Sequence, residues 1–179
     1  MRMIRFIADI IGINIVLFQE HATLGPVQKI IFSPDTGEVL ALFVHDPIEK
    51  KNRIIQPAGI KRMAGDVIVA DGYDALTDVA DVIRIKEAVD INAAILKEKA
   101  YTESGQFLGH VVNASIQTIG WRLDRIYVNP PLGLKFLTSE LIIPAKKIVR
   151  IEKKKIYVAD DYAKVKVPKL VPLPKPILE

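Results

Sequence analysis

The chain has 179 residues, of which 50% are hydrophobic and 26% are charged, which indicates one large or two small folded domains and excludes a disordered polymer. It has no cysteine, which excludes a disulfide framework, a thiolate zinc site and a cysteine nucleophile. The net charge of +4 permits an acidic partner such as RNA but does not require one.

The amino-terminal segment, MRMIRFIADIIGINIVLF, is apolar but does not have the features of a membrane anchor. Arg2, Arg5, Asp9 and Asn14 interrupt it, so its apolar runs are much shorter than the roughly 20 residues of a spanning helix. No small-residue cleavage site follows a compact apolar region, as it would in a signal peptide. We therefore expect a cytoplasmic protein without a transmembrane segment.

Short extended runs separated by turn residues follow in the first part of the chain. Strands are predicted at residues 13–18, 27–32, 39–45, 53–56 and 66–70. Between the second and the third of these, SPDTGE (33–38) has the residues of a type I turn, with Gly37 able to adopt a positive φ. The triplet DTG is also the catalytic triplet of aspartic proteases, but there it follows an apolar strand. We therefore interpret it as part of a hairpin turn.

A helical linker is predicted at residues 75–96. Val79, Ala80, Val82 and Ile83 recur at helical spacing, and aspartates precede and accompany them where the helix dipole favours acids. These aspartates lack the central Gly and distal Glu of a calcium-binding loop, so we interpret them as helix caps. The three histidines lack the spacing of metal ligands, and we expect neither a metal nor a cofactor.

A second series of strands is predicted after the linker, at residues 99–102, 108–116, 121–128, 140–143, 148–152 and 155–159. Many short strands with regular turns are typical of small antiparallel barrels, because closing a sheet removes its exposed edges. After the last strand, the tail contains four prolines and is predicted to be extended, in a polyproline-like conformation.

The two series of strands have similar sequences. Gly25 and Gly109, each in a Leu-Gly-X-Val phrase, are 84 positions apart (109 − 25), and Pro57 and Pro144 are 87 apart (144 − 57). The Val-Ala-Asp triplets that end the two copies are 89 apart (160 − 71). A slowly growing offset is what small loop insertions produce, and we infer a tandem repeat.

The second copy resembles the PRC-barrel family. The phrases that carry the resemblance are AYTESGQFLGHVV (100–112), RIYV (125–128) and LIIPAKKIVRIEKKKIYVAD (141–160). The resemblance extends over residues 12–71 and 97–160, although the first copy has FQEHATLGPV where the family usually has an acidic-Gly turn before Leu-Gly. PRC-barrels occur in the photosynthetic reaction centre H subunit and in a ribosome-maturation factor that docks on a ribosomal protein.

The resemblance implies a mainly β protein with two small antiparallel PRC-type β-barrels, a short helical linker and a Pro-rich C-terminal tail. The expected divisions are a first barrel at 1–74, the linker at 75–96, a second barrel at 97–162 and the tail at 163–179. The family is a scaffold or docking module, so the resemblance implies no catalytic residues and no small-molecule substrate.

Six residues are expected to support the barrels structurally: Gly25, Gly37, Gly105, Gly109, Pro57 and Pro144. Gly25 and Gly109 are expected where the second strand of each barrel bends sharply or passes close to a neighbouring backbone, which a side chain would prevent. The repeated Leu-Gly phrase is therefore interpreted as architecture and not as a binding motif.

The segment NPPLGLKFL (129–137) is the predicted docking site. Connections between strands are usually short and polar, but this one offers four apolar side chains behind a stiff Pro-Pro pair: Leu132, Leu134, Phe136 and Leu137. A stiff loop loses less entropy on binding, and clustered apolar groups can enter a partner's pocket. The alternative is that Leu134 and Phe136 close the open end of their own barrel.

Basic residues support a second hypothesis. One cluster lies in the second copy, at Lys146, Lys147, Arg150, Lys153, Lys154 and Lys155, and another in the first, at Lys50, Lys51, Arg53, Lys61 and Arg62. If both barrels face the same way, these residues form one positive stripe for RNA phosphates. We favour the interpretation that they are solvated hairpin tips and protective edge lysines. Aromatic residues for base stacking are not interleaved with them, which argues against recognition of single strands.

The expected function is therefore non-enzymatic: docking on another protein, or self-association, through a barrel face or the 129–137 loop. The alternative is a basic RNA- or ribosome-associated assembly factor. The two differ in salt dependence, because phosphate contacts weaken steeply as the salt concentration rises.

Overall fold

The computed structural model describes residues 4–90, 95–132 and 139–162. The fold is mainly β, as expected, and includes a sheet that curls into a half-barrel. The strands of the described residues form two seven-stranded sheets. The first described elements are β1 (Ile4–Phe6) and a single turn of helix, α1 (Ile7–Ile10), neither of which the sequence pattern predicts.

The first sheet contains the next seven strands. In chain order they are β2 (Asn14–Leu17), β3 (Ala22–Phe32), β4 (Val39–Asp46), β5 (Lys51–Ile55), β6 (Ile60–Ala64), β7 (Val67–Ala70) and β8 (Leu76–Thr77). They pair in the order β6-β7-β2-β3-β4-β5-β8, with β2 and β7 parallel and the other neighbours antiparallel. Strands β6 and β8 were not predicted, because each offers few large apolar side chains to a pattern search.

The second sheet contains the remaining strands. In chain order they are β9 (Lys99–Thr102), β10 (Phe107–Gln117), β11 (Arg122–Asn129), β12 (Leu141–Pro144), β13 (Ile148–Glu152) and β14 (Lys155–Val158). They pair in the order β12-β11-β10-β9-β14-β13, with β9 and β14 parallel, and β1 pairs with β10. The bounds of β9 and β13 are those predicted from the sequence.

The two sheets share one pairing register. In the first sheet Val27 lies opposite Val44, and in the second Val111 lies opposite Val128, so both partners are 84 positions later (111 − 27 and 128 − 44). In each sheet one β-bulge follows this pair directly. Another precedes the pair of Phe32 with Val39 in the first sheet and its counterpart, Ile116 with Leu123, in the second. Strand order, pairing and irregularities therefore coincide.

The last hairpin of each half corresponds in the same way. Met63 lies opposite Ile68 on β6 and β7, and Ile151 lies opposite Ile156 on β13 and β14, which is 88 positions later (151 − 63 and 156 − 68). The offset grows by four (88 − 84) because the connection from Ile126 to its partner Ile143 is four residues longer than the connection from Leu42 to its partner Ile55. The predicted docking loop is this connection.

Gly25 and Gly109 occupy equivalent irregular positions in β3 and β10. Each lies at a shift in the register with the preceding strand, with φ of 138° at Gly25 and 134° at Gly109. A Cβ atom on Gly109 would lie 2.1 Å from the carbonyl oxygen of Asn129. The close backbone approach expected from the sequence is therefore present at this position.

The other four expected structural residues lie at turns and strand ends. Gly37 and Gly105 have positive φ in the turns between strands. Pro57 begins a 3-10 turn, whereas Pro144 is the last residue of β12 and precedes the corresponding turn. By the common register Pro57 corresponds to Ala145 (145 − 57 = 88), so the sequence alignment of the two prolines is wrong by one position.

The hydrophobic core is continuous through both sheets. Leu42 and Ile68 of the first sheet and Ala114 and Ile126 of the second are fully buried in one cluster. Strand β1 connects the halves further, because it precedes the first sheet in the chain but pairs within the second.

Helix α2 (Ile83–Asp90) covers part of the outer face of the first sheet. Its buried side chains and those beneath them form a second cluster: Ile85 and Ala88 from the helix, and Ile31, Ala41 and Ile54 from the sheet. Contact with these outward-facing apolar residues, and not propensity alone, holds so short a helix in place.

The helix is shorter than the predicted linker 75–96, and its buried face is different. A 3-10 turn (Tyr73–Ala75), β8 and a further 3-10 turn precede it, and residues 91–94 lie outside the described residues, as does the tail 163–179. Ile83, which the helical spacing placed on the apolar face, is 73% exposed. The predicted helical spacing was wrong because Val79 lies in the 3-10 turn before the helix, whereas Ile83 lies in α2.

The interpretation of the aspartates as helix caps is wrong for Asp78. Within the described residues its side chain makes no capping hydrogen bond to the 3-10 turn that it precedes. The carboxylate instead lies 2.9 Å from the Lys51 ammonium and 3.3 Å from the Arg53 guanidinium. The Asp78 carboxylate therefore forms ion pairs with Lys51 and Arg53 of β5 and does not cap the turn.

Candidate binding surface

Four rings lie side by side on the outer face of the second sheet, and we call them the aromatic stripe: Phe107, His110, Tyr101 and Tyr157. The ring centroids of Tyr101 and Phe107 are 5.3 Å apart, those of Tyr101 and Tyr157 6.3 Å, and those of Phe107 and His110 5.4 Å. The stripe therefore crosses three neighbouring strands, β10, β9 and β14.

Strand alternation and register explain how these rings meet. Ala100 and Thr102 are fully buried, so Tyr101 between them points outward. Pairing places Tyr101 opposite Phe107 on one side and opposite Tyr157 on the other. The three rings are half-buried, because each covers part of its neighbour.

Cations border the stripe. The guanidinium carbon of Arg150 lies 3.9 Å from the centroid of the Tyr157 ring, and the Lys155 ammonium lies 5.9 Å from that of Tyr101. Arg150 is opposite Tyr157 on β13, and Lys155 is beside Lys99 across the parallel pair. Both distances are within the range of cation–π attraction.

The first sheet has none of these ring side chains at the matching positions. Val16 pairs with Val69 where Tyr101 pairs with Tyr157. The counterparts of Phe107, His110 and Lys155 are Thr23, Pro26 and Val67. The fold forms equally well with small and aliphatic residues here, so the architecture does not require the aromatic stripe.

The charges around these positions also differ between the halves. At six of these positions the second sheet has five cations and one carboxylate: Lys99, Arg150, Lys153, Lys154, Lys155 and Glu152. The buried Glu98 adds a second carboxylate near Lys154. The matching residues of the first sheet include one cation and one carboxylate: Asn14, Arg62, Gly65, Asp66, Val67 and Ala64. The Glu152 carboxylate lies 2.7 Å from Arg150 and offsets one of the cations.

The remaining basic residues that the sequence singles out are divided between solvent and ion pairs. Lys146 is exposed, and Lys147 is paired with Asp161. In the first half, cations of the predicted cluster pair with acids: Lys51 with Glu49 and Asp78, Arg53 with Glu49 and Asp78, and Lys61 with Asp71. These pairs leave less free positive charge in the first half than the sequence alone indicates.

The predicted docking loop is described only in part. Leu132 is 78% exposed, as a docking residue requires. Leu134, Phe136 and Leu137 lie outside the described residues, so the alternatives of docking and of closing the barrel both stay predictions.

A buried acid forms a closed network in the first half. Asp46 is fully buried and accepts hydrogen bonds from the Tyr73 hydroxyl at 2.5 Å and from the backbone N–H groups of Ile48 and Glu49. Burial raises the pKa of Asp46, but these hydrogen bonds and the nearby Arg53 outweigh it and lower the pKa overall. The same contact raises the pKa of Tyr73 to about 12. Because these contacts hold the Asp46 carboxylate in its ionised form, we expect this residue to stabilise the fold and to be poorly suited to proton transfer.

The sequence interpretation missed the aromatic stripe because its members are distant in the chain. Tyr101 and Tyr157 are 56 positions apart (157 − 101), and only the parallel pairing of β9 with β14 makes them neighbours. A search for aromatic residues interleaved with basic residues along the sequence therefore could not find the aromatic stripe. A position-by-position comparison of the two copies would have found the stripe, since it shows where valine is replaced by tyrosine.

No protein-family model matches the chain, and a search of curated proteins gives no match. In residues 4–90, 95–132 and 139–162, no helix has the length and apolar character needed to cross a membrane. The same residues contain no group of three or more His, Asp or Glu side chains placed to hold a metal ion.

Proposed function

We propose that the protein is a non-enzymatic docking protein built from two PRC-type barrels, which holds its partner on the outer face of the second sheet. The observation that carries the proposal is the contrast between two sheets of identical register. At matching outward positions the first sheet has Val16 and Val69, whereas the second has Tyr101 and Tyr157. Half-exposed tyrosines bordered by cations are typical of binding surfaces, and the valines show that the sheet does not need them.

The tandem PRC-type assignment rests on the resemblance in sequence and is supported by the pairing pattern. In each half, the first and last strands of the repeat run parallel, and the long second strand has a bulge at its Leu-Gly phrase. A chance similarity of two β-sheets would not reproduce the same bulges at constant offsets.

The second sheet is also the more accessible of the two. Ile54 is fully buried beneath α2, whereas its counterpart Ile142 (142 − 54 = 88) is 42% exposed. Next to Ile142, Tyr127 packs against Phe6, whose ring centroid is 5.4 Å away and which is itself 40% exposed. The first half covers part of its outer face with its own helix, and the described residues of the second half leave the matching part more exposed.

The triplet that resembles a catalytic motif and the buried acid of the first half both have structural positions. The triplet DTG lies in the turn between β3 and β4, where the Gly37 N–H donates to the Ser33 carbonyl at 3.1 Å. Asp46 accepts hydrogen bonds from three donors, the Tyr73 hydroxyl and the backbone N–H groups of Ile48 and Glu49. We therefore propose binding without chemistry.

Site-specific photo-crosslinking in the source cell tests this proposal. A photoreactive phenylalanine analogue replaces Tyr157 in one full-length variant and Val69 in a matched variant. We expect a covalent adduct of larger mass from position 157 and none above background from position 69. Equal labelling from both positions, or no adduct from position 157, would contradict the proposal.

The 129–137 loop is proposed as an additional contact, supported by the exposure of Leu132. The register places this loop where the second half has its four additional residues, at the end of β11. An insertion that the first half lacks is a reasonable place for partner specificity.

A further inference from the structure

We infer that the aromatic stripe and its cations form a binding site for single-stranded nucleic acid. This inference rests on the proposed function, since it names the chemical class of what the second sheet holds. Single strands are bound where aromatic rings stack on successive bases and where cations follow the phosphates. Both components are present on this face, whereas the matching positions of the first sheet have no aromatic ring and one cation, Arg62.

The rings are placed to receive bases. Neighbouring strands are about 4.8 Å apart, and Tyr101 stands between Phe107 and Tyr157 on adjacent strands. The planes of Tyr101 and Phe107 are inclined by 49°, and those of Tyr101 and Tyr157 by 33°. Rings inclined in this way do not cover one another face to face, so ring surface remains for stacking.

The cations are placed to receive phosphates. Arg150 and Lys155 lie against the rings, and Lys99 neighbours Lys155 across β9 and β14. Lys153 and Lys154 extend the positive charge to the exposed tip of the β13–β14 hairpin. A backbone that passes along this border would place its bases over the stripe.

The combination favours a single strand over the alternatives. In a duplex the bases are already stacked on one another, so the rings could contribute nothing and only the cations would bind. An acidic protein segment would use the cations but would leave three neighbouring rings unexplained. The stacking component therefore distinguishes a single strand from both alternatives.

The test is a titration of fluorescently labelled oligonucleotides of roughly 10 residues, a length within the usual site size, with the full chain. RNA and DNA single strands are compared with a duplex of the same sequence. The principal variant is Tyr101→Val with Tyr157→Val, which introduces the residues that the first sheet has at the same positions. The sheet should tolerate them, and circular dichroism with thermal melting verifies this.

We expect the wild-type chain to bind single strands more tightly than the duplex. Stacking on an aromatic ring corresponds to about fivefold to 150-fold in affinity per base, so the double valine variant should bind at least about tenfold more weakly. Its dependence on salt should be unchanged, because no charge is lost.

A matched pair of arginine variants tests the ionic component. Arg150→Gln and Arg62→Gln change equivalent residues of the two sheets. The first should reduce the slope of log affinity against log salt by about 0.7, the value for one phosphate contact on a single strand. The second should leave the affinity and the slope unchanged.

The outcomes separate this inference from the proposed function. Binding that survives the double valine change, or equal binding of duplex, would overturn the inference and indicate a merely ionic surface. Failure to bind any oligonucleotide, together with a protein adduct from position 157, would overturn the inference and retain the docking proposal. Failure to bind, with no adduct at all, would overturn both.

Discussion

Glu38 and Arg122 lie opposite each other in an isolated antiparallel bridge, and each is the counterpart of the other in the two halves of the chain (122 − 38 = 84). The Arg122 guanidinium is 3.7 Å from the Glu38 carboxylate, and both side chains are exposed. An exposed ion pair of this kind contributes little to stability, so the significance of the bridge lies in its geometry.

The backbone hydrogen bonds around this bridge show the same symmetry. The Val39 N–H donates to the Trp121 carbonyl at 2.8 Å, and the Leu123 N–H donates to the Gly37 carbonyl at 2.9 Å. These two bonds exchange places when the halves are exchanged. The halves therefore meet about a local two-fold axis, as the subunits of an isologous dimer do.

Because the core is continuous and the backbone bridges the halves, we expect the chain to unfold in one cooperative transition. Trp121 is the single tryptophan and lies at the junction, so its fluorescence reports on the interface. Denaturant unfolding followed by this fluorescence and by far-ultraviolet circular dichroism should give one midpoint. Two separated midpoints would show that the halves are independent domains.

The two bulge glycines provide a matched comparison of strain and collision. Gly109→Ala would place its Cβ 2.1 Å from the Asn129 oxygen, whereas Gly25→Ala would be 3.5 Å from the His45 oxygen. Both positions have an unfavourable φ for alanine, which costs roughly 1–3 kcal/mol. We expect Gly109→Ala to reduce the free energy of unfolding by about 2 kcal/mol more than Gly25→Ala does. Equal losses in urea titrations would show that the backbone approach at Asn129 is unimportant.

Asp46 should make stability dependent on pH in the acid range. Its pKa is lowered in the folded state from the ordinary value of 3.8, so its contribution is present above that value. The contribution is lost as the pH falls through the lower, folded-state pKa. We expect Asp46→Asn to be less stable than the wild type at pH 7, by about 2 kcal/mol for lost charge-assisted hydrogen bonds, and the difference to narrow below pH 3.8. A difference that stays constant from pH 7 to pH 2 would mean that the carboxylate is not stabilised by folding.

Deletion of residues 1–6 should weaken the second sheet, although these residues precede the first. Strand β1 pairs with β10, with Ile4 opposite Gln117 and Phe6 opposite Ser115. Hydrogen exchange of the amides in β10 near these partners should accelerate in the deletion variant, while β2 and β3 stay protected. Acceleration confined to the first sheet would contradict the pairing.

The sequence predicts the features of this fold that depend on local pattern. Lys99–Thr102 and Ile148–Glu152 are predicted to the residue, because β-branched and aromatic residues occur in them and turn residues flank them. The Leu-Gly phrase correctly indicates an irregular backbone at Gly25 and Gly109, since only glycine fits such a position. These inferences need only neighbouring residues.

The features that escaped prediction depend on contacts between distant residues. β1 exists because β10 offers it an edge, and nothing within Ile4–Phe6 indicates that partner. The buried residues of α2 are determined by the first sheet beneath Ile85 and not by the spacing that pointed to Ile83. The aromatic stripe likewise depends on the strand register. It adds base-stacking side chains to the basic residues, and we therefore weigh nucleic-acid binding more strongly against protein docking than the sequence alone would.

The central claim, that the second sheet and not the first is the docking surface, is tested most directly by the apparent size of the full-length chain in an extract of the source cell. The variant Tyr101→Val, Tyr157→Val, Lys155→Val gives the second sheet the residues of the first, and the control Val16→Ala, Val69→Ala, Val67→Ala changes the matching positions of the first. On size-exclusion chromatography we expect the wild type and the control to elute in a complex larger than the purified chain, and the second-sheet variant to elute as the free chain. A second-sheet variant that stays in the complex, or a control that leaves it, would contradict the account.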